Sequence, residues 1–486
     1  MHCKVMAAVT PFTEPPAWVS DAVIYQIFPD RFKRSGRVDA QRHLTLKPWG
    51  TDPRDEGFQG GDLYGVIDAL DQLQAMGFTC LYLTPIFSSA SNHRYHAYDY
   101  MKVDPLLGGD TAFDLLVEAV HQRGMKLVLD GVFNHCGRGF WAFHHLAENG
   151  EASPYRDWFH VNRWPVNPYP SDGKDCGYDC WWAVPDLPKF NHANEGVRSH
   201  LLQVGRHWLE RGIDGWRLDV PAEVPADFWV DFRQVVREVN PDAWIVGEVW
   251  GDARPWLSGE HFDGVMNYRL GWSSISWSAG DRLRQGYRNK EYPLIPLSGE
   301  ELLEIWATTA NWYRPEVNRA QMNLLDSHDV PRALHSLHGD VPALKIALLL
   351  IFLQPGAPCI YYGTEAGLAG GPETEHSSGP EPGCREAFPW EADWPHDLRN
   401  FIASLSKLRR NVPAFRHGDL HWTSLGADGL HAVGAGVRVW INRSRDKSLS
   451  LPGDLSELIF QLGNADLERG SMGGQSAVVV KALDET

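Results

Sequence analysis

The sequence predicts an α/β protein: a (β/α)8 barrel with one loop subdomain inserted after its third strand and a small antiparallel β domain at its C-terminal end. Three observations lead there. Short apolar runs alternate with amphipathic stretches of helical spacing about eight times, as parallel strands joined by crossover helices do. One connection, residues 136–194, is long, aperiodic and rich in Pro, Gly, Asn, Trp and Tyr. Beyond about residue 415 the period shortens to alternating runs such as "LHAVGAGVRVWINRS" and "QSAVVVKAL", the pattern of antiparallel strands.

The strand candidates, in order, are "AVIYQIFP", "CLYLTPIF", "LVLDGVFNH", "GWRLDV", "WIVGEVW", "FDGVMNY", "MNLLDSHD" and "PCIYYGTE". Near-continuous apolar character suits parallel strands covered on both faces. Helical spacing marks "LYGVIDALDQLQAMG", "AFDLLVEAVHQRG", "EGVRSHLLQVGRHWLERG" and "PADFWVDFRQVVREV" between them. The most apolar run, "ALKIALLLIFLQPGAPCIYY", is interrupted by Lys345 and ended by Pro355. That is too short to span a membrane, so it reads as a buried helix leading into a strand. The barrel thus occupies residues 1–135 and 195–414. Residues 136–194 form the insertion, and 415–486 form a C-terminal β-sandwich.

Of the 486 residues 43% are hydrophobic and 22% charged, an ordinary globular balance, and the length suits one large barrel plus a smaller domain. A net charge of −17 argues against nucleic acid or an anionic membrane as partner. The 21 tryptophans are first of all core filler, but flat apolar faces also suit sugar rings. The opening "MHCKVMAAVTPFTEPP" lacks an apolar core of signal-peptide length, so a cytoplasmic location is expected. Seven scattered cysteines fit reduced thiols, and Cys176 and Cys180 of "CGYDC" read as unpaired.

The stretch "GIDGWRLDV" (212–220) ends on Arg217 and Asp219, two positions apart and therefore on one side of a strand. Unpaired charge in a packed strand is costly, which points either to mutual neutralisation or to chemistry. In barrels of this kind chemistry gathers at the C-terminal strand ends. There the sequence places Asp130 with His135, Arg217 with Asp219, Glu248, and His328 with Asp329. Any one alone is best read as an ordinary loop-bonding residue, but the set on one rim is not. Three acids around one cavity suggest glycoside hydrolysis with retention. Asp219 is expected to be the nucleophile, kept ionised by Arg217. Glu248, between apolar "WIV" and Trp250, is the proton donor, and Asp329 steadies the transition state.

"DGVFNH" (130–135), "GWRLDVPAE" (215–223), "GEVW" (247–250) and "LLDSHD" (324–329) resemble, in order, the four signature regions of the α-amylase family, glycoside hydrolase family 13. The resemblance implies the same three roles for Asp219, Glu248 and Asp329. It also implies sugar or nucleophile contacts for His135, Arg217 and His328. "HRY" (93–95) is similar to the family's His-x-Tyr, implying His93 and Tyr95 at the cleavage-site sugar. Within the family the chain looks most like the neopullulanase, cyclomaltodextrinase and maltogenic amylase group. That likeness rests on "SDAVIYQIFPDRF", "FQGGDLYGVIDALDQL", "LPKFN", "PWLSGEHFDGVMNY" and Glu223. It implies leaving-side sugar contacts for Trp250 and Glu223. "EPGCR" (381–385) is similar to a stretch whose acid and arginine hold the sugar, here Glu381 and Arg385.

The group carries an N-terminal β domain that swaps across a dimer, whereas here the barrel pattern begins almost at once, so a monomer or weak dimer is expected. No cofactor is expected and no metal. Calcium is possible for the family, but its stretch is not recognisable in "KRSGRVDAQRHL", and Asn134 and Asp175 are too few ligands. The implied activity is cleavage of α-1,4 bonds in maltodextrins, cyclodextrins, pullulan or starch. Alternatives are an α-glucan transglycosylase, an exo-acting maltodextrin glucosidase and, from another class, a non-catalytic carbohydrate-binding or interaction subunit.

Overall fold

The computed structural model describes residues 12–171, 175–284, 288–289, 292–372, 382–390, 392, 396–452 and 455–482. Eight parallel strands make one sheet: β1 (Ile24–Ile27), β2 (Cys80–Leu83), β3 (Lys126–Gly131), β4 (Gly215–Leu218), β5 (Trp244–Gly247), β6 (Gly264–Val265), β7 (Met322–Leu324) and β8 (Ala357–Tyr361). Their order is β7-β8-β1-β2-β3-β4-β5-β6, and a parallel bridge between Met266 and Met322 closes the ring. The fold class read from the sequence is the observed one.

Packing explains the outer layer. Helix α1 (Gly109–Gln122) buries Ala112, Phe113, Leu116 and Val120, one stripe at helical spacing. Helix α2 (Glu195–Glu210) starts where the Asn194 side chain accepts from the Gly196 and Val197 amides, and it buries Val197, Leu201, Val204 and Trp208. Helix α3 (Ala226–Val239) follows β4, and α4 (Tyr268–Ala279) and α5 (Gly299–Ala310) follow β6. Helix α6 (Val341–Phe352) is buried almost all round, as its sequence required, and α7 (His396–Asn411) returns after β8. The helical reading of "LYGVIDALDQLQAMG" resolves into two short helices, Leu63–Ile67 and Leu70–Ala75. Gly65 lies so close to the next segment that a Cβ there would sit 2.1 Å from the Lys33 carbonyl oxygen.

Between β3 and α2 the insertion packs Phe140, Phe143, Phe159, Tyr178 and Phe190 together, ring against ring. At the other end of the chain a five-stranded antiparallel sheet faces a three-stranded one, with Trp440, Leu451, Met472, Val478 and Val480 between them. No helix among the described residues is long and apolar enough to cross a membrane.

Candidate active site

Strand register sets the site. Asp130 of β3 lies beside Arg217 of β4, which lies beside Val246 of β5, so Asp130 and Arg217 point the same way. The ladder runs on past the strand ends, with Asp219 N donating to Gly131 O and Glu248 N to Leu218 O, both at 3.0 Å. Those two bonds hold the Asp219 and Glu248 backbones side by side on the C-terminal rim.

Arg217 is fully buried and its guanidinium meets three carboxylates. Nη1 lies 2.9 Å from Asp219 Oδ1 and 3.0 Å from Asp130, while Nη2 is 2.7 Å from Glu248 Oε1. Asp130 also accepts from Tyr82 at 2.6 Å and from Tyr95 at 2.9 Å. Opposite them, Asp329 receives Arg385 Nη2 and His328 Nε2, each at 3.0 Å. Gln26 Nε2 lies 2.8 Å from His328 Nδ1; donation there leaves the ring proton on Nε2, which faces both the Tyr95 hydroxyl and Asp329. The Tyr95 ring stacks parallel on His328, centroids 5.3 Å apart. Asp219, Glu248, Asp329, Arg217, His328, Tyr95 and Arg385 thus form one connected cluster.

The electrostatics correct one expectation. Burial drives the Asp219 carboxyl well above its ordinary value, helped by Glu248, Asp130 and Asp329, although Arg217 pulls the other way. Burial and three neighbouring carboxylates outweigh the one guanidinium, so Arg217 only partly offsets the rise at Asp219. Asp329 is also pushed up by burial, but His328 and then Arg385 outweigh that and hold it far below the carboxylate range.

Backbone strain adjoins the nucleophile candidate. Val220 adopts φ 35°, ψ 49°, a left-handed conformation that a β-branched residue avoids. Its N–H thereby reaches Glu248 Oε2 at 3.3 Å.

The remaining candidates sit around this centre. His135 is buried, stacks on Trp181 at 5.0 Å and takes Asn134 Nδ2 at 3.2 Å. Among the described residues its Nε2 has no hydrogen-bond partner, and burial lowers its pKa to about 3, leaving a neutral ring with an unused N–H. His93 Nδ1 accepts the Tyr95 amide at 3.1 Å, and burial lowers His93 well below the usual histidine value. Glu223 is not open to a ligand on both oxygens: Trp181 Nε1 and Lys189 Nζ each lie 3.0 Å from it. Trp250 has one face covered by Tyr268, stacked at 4.0 Å. Glu381 lies outside the described residues.

Sequence reasoning left Asp130 without a role and missed Tyr82, Gln26 and Tyr268 entirely. Asp130 was visible as a strand-end acid; Gln26 and Tyr268 fall inside stretches that carry the family likeness, and Tyr82 inside a strand candidate. Cys176 and Cys180 are free thiols, their sulfurs 3.8 Å apart. Of the two residues weighed for calcium, Asp175 is paired with Arg163 at 2.7 Å. Among the described residues no group of three His, Cys, Asp or Glu side chains could hold a metal.

Residues 26–396 match the α-amylase catalytic domain. The chain is 38% identical over 442 residues to a cyclomaltodextrinase of Geobacillus thermopakistaniensis (strain MAS1), covering 89% of this chain and 70% of that one. It is 39% identical over 416 residues to an intracellular maltogenic amylase of Bacillus subtilis (strain 168), covering 85% and 66%. The native form of a debranching enzyme from Nostoc punctiforme superposes with a TM-score of 0.85 at 38% identity, covering 97% of this chain and all of that one. The chain belongs to the α-amylase family of glycoside hydrolases.

Proposed function

We propose that the protein hydrolyses α-1,4-glucosidic bonds of maltodextrins and related glucans with retention of configuration. The observation that carries this reading is the guanidinium of Arg217 gripping Asp219 and Glu248 on adjacent nitrogens. Carboxyl groups so placed suit the about 5–5.5 Å spacing of retaining enzymes, not the about 6.5–9.5 Å that admits a water between them.

Glu248 carries a proton when a glycosidic oxygen arrives. Asp219 then attacks the anomeric carbon as Glu248 protonates the departing oxygen, and Glu248 afterwards takes a proton from water to release the glycosyl ester. The Val220 amide orients Glu248. Asp329, the strongly anionic carboxylate, faces the oxocarbenium-like transition state, and Arg385 and His328 fix it there. His135, with its unused N–H, and Tyr95, stacked on His328, hold the sugar. Every step uses side chains of this chain and no cofactor. The cysteine pattern and the likeness to the intracellular maltogenic amylase of B. subtilis support a cytoplasmic enzyme.

The test is a product time course on maltotriose, β-cyclodextrin, pullulan and soluble starch, with the anomer of the first product read by proton NMR. Reducing sugar released in the α configuration is expected. A β-anomer as first product, or no release from any of the four, overturns the reading.

A further inference from the structure

The Asp329–Arg385 ion pair has a counterpart outside the catalytic cluster. Asp329 and Arg332 lie in the stretch after β7, and Arg385 and Glu386 are neighbours in the segment 382–390. Arg385 Nη2 lies 3.0 Å from Asp329 Oδ1, and Arg332 Nε lies 3.0 Å from Glu386 Oε2. The same two segments are thus joined twice with the signs exchanged. A slip of one residue would set Glu386 against Asp329, like charge against like, so the crossed pairs fix the register of one segment on the other.

Arg332 is committed to this junction. It is fully buried, and among the described residues its Nη2 has no hydrogen-bond partner. A buried donor left unpaired is costly, so stability alone gives poor reason to keep a guanidinium here. Its Nη1 donates to Tyr362 O at 2.8 Å, just past β8, and the guanidinium lies over the Tyr361 ring at 4.6 Å. Its amide donates to Gly370 O at 3.0 Å. Glu386 closes the knot from the other side: Oε2 accepts the Gly370 amide at 2.9 Å, and its carbonyl accepts the Tyr362 hydroxyl at 2.6 Å. Little slack remains, since a Cβ on Gly370 would lie 2.0 Å from Gly383 O. Arg385 in turn receives Arg31 Nη1 on its carbonyl at 3.1 Å and donates Nε to His328 O at 2.8 Å. The backbone that carries Arg385 is therefore fastened on both sides of the residue.

We propose that Arg332 and Glu386 are positioning residues for the reaction, their ion pair holding Arg385 against Asp329 so that this carboxylate stays aimed at the transition state. Neither belongs to the cluster on the rim; both act through Arg385. This inference rests on the proposed glucan hydrolysis and deepens it.

Kinetics on maltoheptaose are compared for wild type, Arg332→Met, Arg332→Lys and Glu386→Ala. Methionine removes the charge, lysine keeps it, and Glu386 is partly exposed, so its variant leaves no large buried gap. In Arg332→Met and Glu386→Ala kcat falls about tenfold or more while KM stays within about twofold of wild type, because Asp329 acts in the transition state. Arg332→Lys recovers most of that loss. An unchanged kcat in both variants, with only the melting temperature lowered, overturns the positioning role. A second measurement needs no turnover: the crystal structure of Glu386→Ala. Arg385 turned away from Asp329 supports the clamp, even if the wild type hydrolyses no glucan and the functional reading falls. Arg385 Nη2 still within hydrogen-bonding distance of Asp329 overturns it, even if glucans are hydrolysed.

Discussion

Asp219 and Val220 together show how one peptide serves two needs. In the proposed mechanism the aspartate attacks, and the strained valine after it turns its amide toward Glu248. Asp219→Asn should lower kcat at least about 10³-fold with an unchanged circular dichroism spectrum; near-normal turnover would remove the assignment. At position 220 the usual ranking of residues should invert. Val220→Gly is expected to be more stable than Val220→Ala by about 1 kcal/mol, because only glycine adopts this φ without strain. Urea unfolding of both variants checks this. Glu365 supplies a pH test away from the reaction. It accepts hydrogen bonds from Tyr25 OH and the Gly363 amide, and burial raises it to about 7. The folded protein therefore binds this proton more tightly than the unfolded chain. The resulting stabilisation is complete below about pH 4.5 and is lost as pH climbs through 7, roughly 3 kcal/mol in all. Glu365→Gln should flatten the stability profile over that interval; identical slopes would show that this carboxyl does not titrate there.

The barrel strands act as a rack of short spacers and the insertion as a wall. β3, β4 and β5 hand their final residues to the rim in register, which is why one buried arginine reaches three acids. Residues 136–194 are fastened to that rim at Glu223, whose two oxygens bind Trp181 and Lys189. Glu223→Ala should free the wall: trypsin should cut within the insertion faster than in wild type, with the remaining fragments intact. An unchanged cleavage pattern would mean that ring stacking alone secures it. The same element explains why Glu223 behaves as a latch here, although the family resemblance makes it a sugar contact.

Over the whole molecule the C-terminal sheets are bound to the barrel by specific groups. The Trp277 indole donates to Ala427 O at 3.1 Å, Arg443 donates to Leu297 O at 2.7 Å and to Trp277 O, and Trp306 meets Trp422 edge-on at 5.5 Å. Arg443 also bonds Asp428 at 3.0 Å, joining both sides of the junction. Arg443→Ala is expected to split thermal unfolding into two calorimetric transitions, the small domain melting first. A single transition at the wild-type temperature would place the coupling elsewhere.

The fold class and the three acids were legible because local patterns encode them. Strand–helix alternation recurs along the chain, and each acid sits directly after an apolar run that can only be a strand. The partners of those acids were not legible. Tyr82, Gln26 and Tyr268 come from β2, β1 and the segment after β6, and only closure of the ring brings them to Asp130, His328 and Trp250. The direction of the Asp219 shift was likewise a tertiary outcome. Sequence spacing puts one arginine beside one aspartate, but burial and the arrival of three further carboxylates are set by the packed barrel. Charge interactions depend on distance and dielectric, and both are properties of the assembled structure.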